Sequence, residues 1–230
     1  DRVAPERLEV CLLESPFNYE EQVFLGVPSF LPEPGHPEFI PRVQQLLERL
    51  VAELPRGALV LFTSYSMMHK VYHAVRPAFE AEKVELLAQG IDGSRHSLIN
   101  RFKANRTSVL LGTDSFWEGV DVPGEALELV LIARLPFDVP SDPVIQARSE
   151  LIQRRGGNPF MEYAIPEAVI RFRQGFGRLI RHRSDYGAVI VLDSRVVKKL
   201  YGRIFLESLP VRPIILADEE EFWDKLKEWF

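Results

Sequence analysis

One cysteine, Cys11, serves a chain of 230 residues. A single thiol can close no intrachain disulfide and build no cysteine-cluster metal site, so a reducing, cytoplasmic setting is expected and no iron–sulfur cluster can be ligated here. Long apolar runs are missing too. The stretches 187–192 and 129–133 have strand length, far short of a bilayer span, and no membrane role is expected. Positive charge is not in excess: the net charge is −5 and the pI about 5.7, so any binding of nucleic acid has to be local. No Gly-x-x-x-x-Gly-Lys-Ser/Thr occurs, nor any Gly-Lys dipeptide, so this chain brings no loop of that kind to cradle a triphosphate. The chain opens on Asp1 without a basic segment running into an apolar one. No signal peptide is expected, and the sequence reads as a piece of a larger protein.

What is present describes an ordinary globular domain, 46% hydrophobic and 27% charged. Apolar runs of strand length alternate with segments of helical period, the pattern of an α/β domain with a largely parallel sheet. A single domain is expected over 1–230. Its parts are a lead-in with a proline-rich loop (1–41), a core (42–210), and a C-terminal strand with an acidic helix (211–230). Five prolines between Pro28 and Pro41 argue for a covering loop. Strands are predicted at 58–62, 83–88, 108–111, 127–133 and 187–192, and helices at 42–54, 94–103, 143–154 and 166–180. In such sheets ligands sit beyond the carboxyl ends of the strands, which directs attention to the loops starting at Thr63, Thr113 and Arg134.

Three segments carry chemistry. The first is Gln174-Gly175-Phe176-Gly177-Arg178-Leu179-Ile180-Arg181. On a continuous helix, Gln174, Arg178 and Arg181 would share one face, with Arg171 one turn earlier. Two glycines in a helix cost about 1 kcal/mol each relative to alanine, so a close approach by a neighbour is expected to explain them. Arginine is planar and permanently charged, which suits phosphate contact; a salt-bridged surface helix is the plain alternative. The second is Gly112 to Gly124, directly after a strand. Its hydroxyls and N–H groups could hold phosphate oxygens and a carboxylate could take a ribose hydroxyl, or Asp114 and Asp121 could merely cap the turn. The third is a strand running into Thr63, Ser64, Tyr65 and Ser66. Hydroxyls and an aromatic could meet a single strand there, although a helix cap by Ser64 or Ser66 explains the same residues.

Together and in their order along the chain, these segments resemble the second RecA-like domain of superfamily 2 helicases, closest to the DinG branch of the XPD-like family. Val60 to Tyr65 looks like motif IV, Thr113 to Asp121 like motif V, and Gln174 to Arg181 like motif VI. Ser15-Pro16-Phe17-Asn18-Tyr19, Leu135-Pro136-Phe137 and Asp185-Tyr186-Gly187 add to the likeness, which spans about Ser15 to Pro210. The resemblance implies a P-loop-type parallel sheet between helices, a second helicase lobe without its own phosphate loop. Arg178 and Arg181 would be arginine fingers for ATP held by an N-terminal lobe, with Gln174 coupling that contact to DNA. Asp121, Gly119 and Glu118 would lie by the nucleotide, though Glu118 stands where other branches carry a basic residue. Thr63, Ser64, Tyr65, Thr113 and Asp114 would lie by single-stranded DNA. ATP and Mg²⁺ would be bound mainly by the N-terminal lobe, which could also carry an iron–sulfur cluster. Movement from 5′ to 3′ and a place in DNA repair and replication are further implications of the likeness.

Two look-alikes are set aside. Ile214 to Glu219 imitates an acidic metal-binding box, yet Asp218 reads better as the cap of an acidic-fronted helix. His69 and His73 have metal-ligand spacing but no evident third ligand. The competing function is a non-catalytic module that binds single strands or a protein. A small-molecule enzyme lacks any nucleophile–base pair.

Overall fold

The computed structural model describes residues 15–117 and 126–230. In chain order the strands are β1 (Val23–Pro28), β2 (Ala58–Leu61), β3 (Leu86–Ala88), β4 (Val109–Gly112), β5 (Leu129–Ile132), β6 (Gly187–Val191) and β7 (Ile214–Leu216). They form one sheet in the order β3-β4-β2-β5-β6-β1-β7, and every pairing is parallel. The helices are α1 (Tyr19–Gln22), α2 (Phe39–Glu53), α3 (Tyr65–Ala81), α4 (Arg95–Ala104), α5 (Asp114–Trp117), α6 (Pro143–Arg154), α7 (Ile165–Phe176), α8 (Arg195–Lys198), α9 (Gly202–Glu207) and α10 (Glu219–Trp229). A π-helical turn, Phe160–Ala164, leads into α7.

Both faces of the sheet are covered, which is why β2, β4, β5 and β6 are apolar without alternation. On one face α2, α3 and α10 bury Leu47, Val71 and Phe222 against Val60, Leu131 and Ile190. On the other, α4, α7 and α9 bury Phe102, Phe172 and Phe205 against Leu61, Val130 and Val189. Parallel neighbours are joined by crossovers that return each chain segment to the same edge, so all carboxyl ends emerge together.

Two boundaries differ from the sequence reading. The lead-in holds a strand that the sequence reading did not predict: Val23–Pro28 is fully buried and lies between β6 and β7. The proline-rich loop is correspondingly shorter, because α2 already begins at Phe39 and accepts Pro41 in its first turn, where backbone N–H groups have no helical partner. The helix predicted to reach residue 180 ends at Phe176, with Gly177 as its C-cap. Beyond it, Arg178 and Leu179 donate to the carbonyls of Gly175 and Phe176, three residues back, a tightening that unwinds the last turn. Arg178 and Arg181 therefore do not continue a helical stripe with Gln174. The cap role predicted for Asp218 is observed, its carboxylate accepting from the Glu221 N–H at 2.9 Å. No helix among the described residues is long and apolar enough to cross a membrane.

Candidate nucleotide and nucleic-acid site

The carboxyl edge of the sheet carries a polar row. Thr63 is half-buried at the end of β2, and Ser64 caps α3, its Oγ accepting from the Met67 N–H at 3.2 Å. Tyr65 opens that helix and is 47% exposed. Thr113, at the end of β4, is buried, and its hydroxyl does not face solvent. Both its N–H and its Oγ1 donate to Gln89 Oε1, at 2.8 and 3.1 Å. The same amide's Nε2 donates to the Tyr65 hydroxyl and to Ser115 Oγ. Gln89 thus ties the ends of β2, β3 and β4 into one unit. It can do so because Gly90 follows at φ +78°, a left-handed turn that lets the chain leave β3 sharply. Sequence reasoning passed over Gln89; the signal was an amide followed by glycine at a strand end.

In front of this row lies a cleft of about 750 Å³, lined by Thr63, Arg95, Ser115, Trp117, Phe137 and Arg171 among others. Arg171, expected on the arginine stripe, instead pairs with Asp138 across this cleft. Asp114 begins α5. Glu118, Gly119 and Asp121 lie outside the described residues.

The arginine segment is held from two sides. Trp117 is buried with its indole N–H donating to the Phe62 carbonyl at 2.9 Å, and its ring packs where a side chain on residue 175 would stand. A Cβ on Gly175 would come within 2.8 Å of that ring and 3.1 Å of Leu61, so one of the two glycines is explained by close approach. The other, Gly177, ends the helix. The half-buried Arg178 reaches back, donating through Nε and Nη2 to the Trp117 carbonyl at 3.1 and 2.7 Å. This joins the end of α7 to the end of α5. On the other side, Asp185 is buried and accepts from the N–H groups of Arg181 and His182, both at 2.8 Å. Gln22 donates to the carbonyls of Arg183 and Asp185, locking the turn onto α1. Arg181 is half-buried and Gln174 exposed. The turn is rigid because its backbone groups are satisfied by side chains, a role for Asp185 and Gln22 that the spacing alone did not reveal.

An all-parallel sheet between two helical layers, with polar groups gathered at its carboxyl edge and arginines on a braced turn, defines a RecA-like lobe. The chain belongs to the helicase C-terminal domain family, whose model matches residues 47–212. Among curated proteins it is 43% identical over 213 residues to the 3′-5′ exonuclease DinG of Bacillus subtilis, covering 91% of this chain and 23% of that protein. It is 39% identical over 212 residues to the ATP-dependent DNA helicase YoaA of Escherichia coli, covering 92% of this chain and 33% of that protein. The chain thus spans about a quarter to a third of these relatives, as a helicase C-terminal domain of the DinG-like kind. Solved structures agree on the fold. An XPD helicase superposes with a TM-score of 0.62 at 21% identity, covering 85% of this chain and 36% of that one. The C-terminal domain of the DEAD-box protein Dbp5 gives 0.56 at 15% identity, covering 92% and 99%.

Proposed function

We propose that this domain is the second motor lobe of an ATP-dependent DNA helicase. Arg178 and Arg181 act on ATP and Mg²⁺ held by an N-terminal lobe, and the carboxyl edge of the sheet carries part of a single-strand track. The observation that carries this reading is the bracing of the arginine turn: the Trp117 carbonyl and the Asp185 carboxylate fix its position before any ligand arrives. Positive charge held in advance where negative charge develops stabilises a transferring phosphoryl group without reorganisation at the moment of reaction.

The track reading draws on Thr63, Ser64 and Tyr65, which stand at or near the surface of one strand end. Thr113 is assigned a positioning role instead, since its hydroxyl is committed to Gln89. Gln174, exposed one turn before Arg178, would link nucleotide state to the strand. A domain that closes on ATP and reopens after hydrolysis would move that strand. Travel from 5′ to 3′ belongs to this proposal.

Arg178→Ala and Arg181→Ala, each in the full-length protein, test it. DNA-stimulated hydrolysis is expected to fall by about 10³, the scale of arginine-finger losses, while nucleotide affinity is largely kept. Normal turnover in both variants would sink the catalytic assignment and favour a non-catalytic binding module, a reading with which the net charge of −5 is compatible.

A further inference from the structure

The registers of the three central strands place Arg134 between two groups already described. Leu61 pairs with Ile132, and Ile132 with Val191. Both pairings are extended by one bond beyond the strand ends, Ala133 N–H to the Leu61 carbonyl at 3.0 Å and Leu192 N–H to the Ile132 carbonyl at 2.9 Å. Two residues past each partner, Thr63, Arg134 and Asp193 come level in one row at the carboxyl edge. Neighbouring strands are about 5 Å apart, so Arg134 leaves the sheet next to the strand end that carries Thr63.

Asp193 is the acid whose field reaches Arg134 among the described residues, and it is fully committed elsewhere. It is 0% exposed and accepts from the Leu135 N–H at 2.8 Å, from the Arg195 N–H at 3.1 Å, and from the Arg195 guanidinium at 2.6 Å. Arg134 makes no hydrogen bond or ion pair with any described residue, and it has a second guanidinium, Arg195, for a neighbour. It is half-buried, and withdrawal from water together with the field of Arg195 holds its pKa below the ordinary arginine value. A cation drawn from water, beside a like charge and with the nearby carboxylate hydrogen-bonded to other groups, is disfavoured. The arrangement becomes favourable when an anion is supplied from outside the fold.

We propose that Arg134 binds a backbone phosphate of single-stranded DNA, extending the track from Thr63 along the sheet edge toward β6. This rests on the reading of that edge as a single-strand track. A phosphate on the nucleotide shares the chemistry, but the placement favours the strand: Arg134 leaves the carboxyl end of β5, whereas Asp185 and its arginine turn enter the amino end of the neighbouring β6. Phe137 supports the assignment. It lines the cleft two residues beyond Leu135, with the Arg195 guanidinium 5.8 Å from its ring centroid, so an aromatic face accompanies the cations.

The test is binding of a fluorescein-labelled oligo(dT) to the full-length protein, followed by anisotropy over a range of salt, for Arg134→Gln, Arg134→Lys and a Thr63→Ala/Tyr65→Ala double variant. Arg134→Gln is expected to weaken binding about tenfold at low salt and to reduce the slope of log K against log salt by about 0.7, one phosphate contact on a single strand. Arg134→Lys should retain most of the affinity and the slope. The melting temperature of Arg134→Gln should match or exceed that of the parent, because the substitution removes an uncompensated charge. Unchanged affinity and slope in Arg134→Gln, with weakened binding in the double variant, would overturn the role of Arg134 and leave the track standing. Unchanged binding in all three would overturn both. Weakened affinity for ATP with DNA binding intact would assign the arginine to the nucleotide and overturn the proposal. A lowered melting temperature in both Arg134 variants, with equal loss of binding, would mark the residue as structural and overturn it too.

Discussion

The carboxyl edge of the sheet and the arginine turn after α7 reach order by opposite means. At the edge, parallel strands fix the backbone, and a side chain, Gln89, links their ends by accepting from Thr113 and donating to Tyr65 and Ser115. At the turn, no strand or helix continues, and side chains fix the backbone: Asp185 takes two N–H groups, Gln22 two carbonyls, and the Arg178 guanidinium the Trp117 carbonyl. At the edge the ladder keeps the strand ends in place when a side chain is exchanged, so such a change acts mainly on what the edge presents. The turn is a device in which one substitution loosens several residues.

The largest effect expected from breaking this contrast is at Asp185. Asp185→Ala leaves two N–H groups without their acceptor, a loss of about 1–3 kcal/mol for each buried group left unsatisfied. Denaturant titration should show that loss. With the arginines no longer held in place, hydrolysis in the full-length protein should fall by about a hundredfold, since a misplacement of about 1 Å is enough for such a cost. Oligo(dT) affinity should change much less. Equal losses of hydrolysis and DNA affinity would mean that the two regions are one cooperative unit.

Gly175 is where the regions meet, and a smaller effect is expected there. Gly175→Ala would gain helix propensity of about 1 kcal/mol, yet the added methyl would stand 2.8 Å from the Trp117 ring, with overpacking that costs about 1–3 kcal/mol. The net outcome is a modest destabilisation, readable as a lowered melting temperature. A melting temperature raised by the substitution would show that Trp117 yields freely and that the close approach does not constrain α7.

How much of this could be read beforehand depends on which force sets each feature. The sheet was legible because strands buried on both faces must be apolar throughout, as Ala58–Leu61 and Leu129–Ile132 are. β1 was hidden because Gly26 and Pro28 weaken the strand signal and a run of prolines follows. Packing supplies what propensity does not: the space beside Gly26 is filled by the Phe24 ring and Ile190. The arginines were legible as a cluster but not as a turn, since the spacing of Gln174, Arg178 and Arg181 fits a helix that Gly177 ends. Thr113 was placed correctly at its strand end. Its burial could not be foreseen because it depends on Gln89, a residue 24 positions away with no motif of its own.

Gln89 also gives the mildest and most discriminating prediction. Gln89→Leu keeps the volume of the side chain and removes its polar end, so Thr113 loses the acceptor of its N–H and hydroxyl while Tyr65 and Ser115 lose their donor. The three strand ends would remain in the sheet, held by the ladder, but Tyr65 would no longer be fixed over the edge. If that edge binds a single strand, affinity for oligo(dT) should fall about tenfold, the equivalent of about one to two neutral hydrogen bonds. The melting temperature should drop as well, because the buried Thr113 groups are left unsatisfied. Tyr65→Phe separates the two consequences: it removes the contact from Gln89 to the hydroxyl and leaves Thr113 paired. A loss of affinity shared by both variants would trace binding to the placement of the aromatic ring, and a loss confined to Gln89→Leu would trace it to the end of β4. Full affinity in both would mean that the amide crosslink serves the sheet alone.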